Sequence, residues 1–189
     1  MSYTALKSKV KDRKPVPDSF LDELVAWGRT APDEIFAPNS EPHDVMPLLK
    51  PILGPWDSLL RRKCAMLELL RCLGGFESSW NWNEGVDKTN QHSQTHIEGE
   101  ETGIFQVSYD SLWLEKNGTT LSDCLRRHGV NPITVREFID TMKSDHTLAL
   151  EYAARLLRIS YLWDGPIKRG EINSSLSPDA VAELQTLMQ

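Results

Sequence analysis

Gly74-Gly75-Phe76-Glu77-Ser78-Ser79-Trp80-Asn81-Trp82 is the stretch on which the reading of this chain turns. It follows a long apolar pattern of helical period and opens a polar segment that leads to Thr102-Gly103-Ile104-Phe105-Gln106-Val107-Ser108. A single carboxylate, Glu77, stands between that helix and the pair Trp80 and Trp82. An apolar setting disfavours the ionised carboxylate, which is what a group that donates a proton near neutral pH requires. Glu77 is therefore the first candidate for an acid catalyst.

Upstream of this stretch, the spacing predicts the strongest helix of the chain, from about Trp56 to Leu73. Leu59, Leu60, Cys64, Leu67, Leu70 and the pair Cys72-Leu73 cover much of its circumference, so it is expected to be central and buried. Arg61, Arg62, Lys63 and Arg71 take the remaining positions. Pro55 or Trp56 occupies the first turn, Asp57 adds negative charge near the N-terminus, and Gly74-Gly75 is expected to stop the helix, leaving Glu77 just past its end. Residues 1–17 carry Lys7, Lys9, Lys11, Arg13 and Lys14 before Pro15 and Pro17, and read as a flexible basic arm. Residues 18–55 read as an N-terminal helical extension. In it Asp18-Ser19 opens a helix to about Arg29, a proline-rich loop follows, and a short apolar piece from Val45 to Leu53 ends at Gly54-Pro55.

Downstream, residues 81–101 are long, polar and irregular, with Asp87, His92, His96, Glu98, Glu100 and Glu101. Loops of this length in a compact domain are usually functional or mobile. Shorter helices are expected from Leu121 to His128, ended by Gly129, and from Pro132 to Lys143 with Asn131 as N-cap. Asp145 opens a second long helix with Leu148, Tyr152, Leu156 and Ile159 on one face, which stops at Asp164-Gly165-Pro166. Ser177-Pro178-Asp179 opens a terminal helix to about Met188. No strand pattern of convincing length and no repeat appear, so the class is mainly α, with residues 56–189 as the principal domain.

At 189 residues the chain suits one well-packed domain. Its 21 Lys+Arg against 27 Asp+Glu give a net charge of −6, which argues against nucleic acid as the main partner. No apolar run approaches the ~20 residues of a membrane-spanning helix, and the basic N-terminus lacks the apolar run of a secretory signal. Cys64, Cys72 and Cys124 are expected to be reduced and buried, consistent with synthesis in a reducing cytoplasm. His92 and His96 lie four apart beside acids, but without a His-Glu-x-x-His pattern they read as loop residues. No metal and no cofactor is expected.

Glu77-Ser78-Ser79-Trp80, with a helix leading into the glutamate, and Gly103-Ile104-Phe105-Gln106-Val107 downstream resemble the two core motifs of the goose-type lysozyme and soluble lytic transglycosylase superfamily. The resemblance is specific over about residues 60–113 and looser over 145–170, where Leu148 to Leu157 is similar to the family's later helix. It implies a lysozyme-like fold, Glu77 as the general acid, and Gln106 lining the same cleft. The first ~55 residues have no counterpart in it. The implied substrate is the MurNAc-GlcNAc β-1,4 bond of peptidoglycan glycan strands.

An inverting glycosidase also needs a base some ~6.5–9.5 Å from the acid, with water between. The family places aspartates in the loop and just after the Gln-Val pair to hold that water. Here the latter position is Ser108, so Asp87 and Glu101 are the best remaining candidates. With neither in place, the lytic transglycosylase route follows, in which one glutamate acts as acid and then base and the sugar's own hydroxyl replaces water. Trp80, Trp82 and Tyr109 suit stacking on sugar faces or filling the core, and Tyr161 places a hydroxyl near the cleft or in the core. Without a classical signal, delivery to the wall implies a type VI secretion effector with a cognate immunity protein, or a phage endolysin. The reading from another class is a non-catalytic lysozyme-like module that binds glycan or protein.

Overall fold

The computed structural model describes residues 2–85, 100–116, 119–131 and 134–189. Its α-helices are α1 (Asp18–Thr30), α2 (Met46–Leu53), α3 (Leu59–Ser78), α4 (Leu121–Arg127), α5 (Val135–Ser144), α6 (His146–Ile159), α7 (Gly165–Lys168) and α8 (Pro178–Leu187). Among the described residues, two minimal antiparallel strand pairs accompany them: β1 (Glu101–Thr102) with β2 (Val107–Ser108), and β3 (Glu115–Lys116) with β4 (Thr119–Thr120). The class is mainly α, as the periodicity predicts.

Helix α3 is the axis of the fold. Residues 64–76 are buried along its length, and α1, α2, α6 and α8 pack against it. Ser58 caps its start, its Oγ accepting the Arg61 N–H at 3.1 Å. The expected stop at Gly74-Gly75 is not there: α3 runs through both glycines to Ser78. Space, not termination, is what these glycines supply. A Cβ on Gly75 would lie 2.7 Å from Trp80 Cζ2 and 2.8 Å from Val10 Cγ1. The helix ends instead where Ser79 and Trp80 turn left-handed, with φ of 56° and 61°. That turn folds the Trp80 ring back along the helix, and its indole N–H donates to the Arg71 carbonyl at 2.9 Å.

Arg71 does not take an exposed position. It is fully buried and forms a bidentate pair with Glu68, at 2.7 and 2.8 Å. It also donates to the carbonyls of Ser8 at 3.0 Å and Ser175 at 3.2 Å, while Ser177 N–H donates to Glu68 at 2.9 Å. One desolvated ion pair thus ties α3 to both ends of the chain. Burial of such a charge is tolerated only where every donor finds an acceptor.

The basic arm expected over residues 1–17 is a correction of the same kind. Tyr3, Leu6, Val10 and Val16 are buried in the core that also contains α3 and α8. Glu183 of α8 accepts the backbone N–H groups of Thr4 at 2.7 Å and Leu6 at 2.8 Å. The lysines hid an apolar spacing, Leu6 then Val10, that packs once a partner helix exists. Residues 18–55 share that core as well, since α1 contributes Phe20, Leu21, Leu24 and Trp27. Arg158 of α6 is buried against Asp44 at 2.7 Å and holds the Ile35 and Ala37 carbonyls. Helix α5 opens at Thr134 rather than Asn131, through a reciprocal capping box with Glu137.

Candidate functional site

Glu77 sits on the last turn of α3, half-buried, where the helix presents its negative end. The orphan carbonyls there are served from the N-terminal segment. Arg13 donates from Nε to the Gly75 carbonyl at 3.0 Å and from Nη2 to the Phe76 carbonyl at 2.9 Å. Lys11 Nζ lies 5.2 Å from the Phe76 ring centre. The segment expected to be a flexible arm therefore braces the turn that carries the candidate acid.

Facing Glu77 is a residue the sequence offered only as a helix stop. Asp164 caps α7, its Oδ1 accepting the Ile167 N–H at 2.6 Å, and its side chain is buried. Its Oδ2 is buried too and meets no nitrogen or hydroxyl donor among the described residues. Burial pushes the Asp164 carboxyl up to about 6, opposed by the Ile167 N–H, by a hydrogen bond with Glu77, and by the charge of Arg169. A hydrogen bond between two carboxyls needs a proton on one of them. Glu77 and Asp164 thus form a carboxyl pair that shares a proton.

Arg169 completes the surroundings. Gly165 leaves room for its guanidinium, whose Nη1 lies 2.7 Å from where a Cβ would stand. Arg169 pairs with Glu171 at 2.5 Å and acts on both Asp164 and Glu77 through charge. The same turn forms one wall of a cavity of about 300 Å³, lined by Tyr161, Arg169, Ile167, Leu49 and Asn173 among others. Tyr161, expected in the cleft or the core, lines this cavity and packs edge-on to His43 at 6.2 Å. A second cavity of similar volume, about 310 Å³, contains none of the sequence-predicted residues.

The hairpin β1–β2 is fastened beside the end of α3. Ser78 Oγ donates to the Ile104 carbonyl at 2.9 Å, and Gly103 N–H donates to the Glu84 carbonyl at 3.0 Å. Gln106 is buried at a φ of 47° and its Nε2 donates to the Gly103 carbonyl at 2.8 Å, so its amide holds the turn of its own hairpin. Glu101 lies directly across the hairpin from Ser108. Glu101 and Ser108 thus stand side by side on neighbouring strands.

The aromatic residues fall on the structural side. Trp80 is buried against the α3 glycines. Trp82 stacks on His146 at 3.9 Å and 7°, and touches Phe20 and Phe105. Tyr109 meets Phe138 edge-on at 5.8 Å. Asp87, His92, His96 and Glu98 lie outside the described residues. The three cysteines are buried and unbridged.

No protein family, no curated protein and no solved structure matches this chain. Asp164 was missed because an aspartate before Gly-Pro is fully accounted for locally as a cap. Only the fold brings it to Glu77.

Proposed function

We propose that this protein is a peptidoglycan glycosidase that cleaves the MurNAc-GlcNAc β-1,4 bond, with Glu77 donating a proton to the leaving oxygen. What carries the reading is the carboxyl pair: Glu77 at the end of α3 shares a hydrogen bond with buried Asp164, so that one of the two carboxyls keeps a proton. A neutral carboxylic acid, aimed by a second carboxyl, is what protonation of a glycosidic oxygen needs. The order of Glu77-Ser78-Ser79-Trp80 and Gly103 to Val107, fastened together through Ser78 and Ile104, adds the resemblance to goose-type lysozymes and lytic transglycosylases.

Asp164 is a positioning residue and not the base. Carboxyls in hydrogen-bond contact leave no room for water between them, whereas an inverting pair stands ~6.5–9.5 Å apart. For hydrolysis the water-holding role falls to Glu101, facing Ser108, or to Asp87. The transglycosylase route is the second reading, in which Glu77 acts as acid and then as base without a second carboxylate to hold water. Delivery to the wall as a secreted effector with an immunity partner, or as a phage lysin, belongs to the same proposal.

Muropeptides released from purified sacculi decide the matter. Mass spectrometry is expected to show reducing-end MurNAc for hydrolysis or 1,6-anhydro sugars for transglycosylation, with either product lost in Glu77→Gln while the circular dichroism spectrum is kept. Release of neither product by the wild type, or full activity in Glu77→Gln, overturns the glycosidase reading in favour of a binding module.

A further inference from the structure

A second cluster of chemistry-bearing side chains lies between α4 and α6. Cys124 and the α4 C-cap His128 stand four apart on one helical face. Glu151 reaches them from α6. Cys124 Sγ is 3.7 Å from Glu151 Oε1, and His128 Nε2 is 3.2 Å from Glu151 Oε2. One ligand atom from each of the three residues falls within 4.8 Å of the others.

We propose that Cys124, His128 and Glu151 form a site for a divalent transition metal of zinc type. Bonds of about 2.3 Å from zinc to sulfur and about 2.0 Å to nitrogen and oxygen place tetrahedral ligand atoms about 3.3–3.5 Å apart. With one atom from each residue within 4.8 Å of the others, and the two Glu151 oxygens at 3.7 Å from sulfur and 3.2 Å from nitrogen, a modest closing brings the donors to those edges. The ligand types match as well: thiolate, imidazole and carboxylate are the three donors zinc takes. Arg155 Nε donates to Glu151 Oε1 at 2.7 Å, and Arg127 stands 3.9 Å away. Arg155 fixes the carboxylate while Oε2 presents to the histidine, the role outer partners play around metal ligands.

A thiol gives up its proton when it binds a metal. Uptake replaces that proton: Cys–SH and M²⁺ give Cys–S–M⁺ and H⁺, which leaves to solvent past half-buried His128. Thiolate and carboxylate then bring two negative charges to the cation, with Arg155 and Arg127 beside the carboxylate. Three protein ligands leave a fourth position for water. The site sits on α4 and α6, apart from the Glu77–Asp164 pair on α3 and α7, and stands or falls independently of the glycosidase reading.

The test uses the full chain, reduced and freed of metal, titrated with Co²⁺ and then Zn²⁺. One equivalent of Co²⁺ is expected to bind with a sulfur-to-cobalt charge-transfer band, and Zn²⁺ is expected to displace it and raise Tm. The near-isosteric Cys124→Ser should lose the band. His128→Ala, at a partly exposed position, should weaken Co²⁺ binding about tenfold or more. No charge-transfer band in the wild type, a band that persists in Cys124→Ser, or unchanged affinity in His128→Ala overturns the site and leaves Glu151 as an ion-pair partner only.

Discussion

Glu77, on the last turn of α3, shares a hydrogen bond with Asp164, the residue that caps α7. Two carboxyls in such contact hold a proton between them, and the one that burial holds above its ordinary range makes folding depend on pH. Asp164 is raised from 3.8 to about 6 in the folded chain. Below the unfolded value both states are protonated and the native state bears no penalty. As pH rises through about 6, the native state comes to carry a buried charge, and stability has been lost. The loss between about pH 4 and pH 7 is on the order of 3 kcal/mol. Asp164→Asn keeps a cap for Ile167 and removes this dependence. Denaturant unfolding across that window is expected to show a falling wild type and a flat variant, with the variant the more stable at neutral pH and the less active. Parallel profiles would disprove the buried pair.

Gly75→Ala should be destabilising, although alanine favours a helix over glycine by about 1 kcal/mol. The added methyl meets Trp80 and Val10 at 2.7 and 2.8 Å. Overpacking of this kind costs roughly 1–3 kcal/mol, and it displaces the turn on which Glu77 sits. A lower urea midpoint together with reduced activity is the expected outcome, and a variant stabilised by the propensity gain would contradict the close approach of the Trp80 ring.

The helical skeleton was legible because it follows from local chemistry. The apolar period marked α1, α4 and α6, and Asp145 caps α6 as its position suggests, accepting the Leu148 N–H at 2.9 Å. Misreadings arose wherever a residue serves a distant partner. Gly74-Gly75 carries the local signature of a helix stop, yet makes way for Trp80 and Ile104. Arg71 took a remaining position on the helix with no partner assigned, because Glu68, Ser8 and Ser175 are invisible to periodicity. At the candidate site the acid was visible, since a lone glutamate beside tryptophans stands out. Its partner was not, since nothing between Glu77 and Asp164 in sequence announces that α7 folds back on the end of α3.

Removing residues 2–14 should cost the protein its fold, not merely a tail. Leu6 and Val10 are fully buried. Large-to-small losses at two such sites amount to roughly 4 kcal/mol or more, before the loss of Arg13 from the end of α3 and of the Ser8 acceptor from Arg71. Much of the stability of an ordinary domain, about 5–15 kcal/mol, is at stake. A truncated chain that unfolds cooperatively at the wild-type Tm would show that the segment is dispensable.

The last expectation concerns water. Residues directly opposite in an antiparallel pair hold their Cβ atoms about 4.5–5.5 Å apart, so Glu101 and Ser108 offer their side chains to nearly the same place. Under the proposed hydrolysis, a carboxylate on either strand of this hairpin is the candidate to hold water beside the end of α3, where Ser78 anchors the Ile104 carbonyl. Glu101→Gln is therefore expected to lower the release of reducing-end MurNAc by roughly 10²-fold or more, the size of a lost general base. Ser108→Asp in that background should restore part of the rate by moving the acid across the hairpin. The arithmetic is specific to hydrolysis, because a transglycosylase holds no water for its first step. Glu101→Gln with an unchanged rate and 1,6-anhydro products would assign the reaction to the glutamate at position 77 alone, and rescue by Ser108→Asp would then be absent.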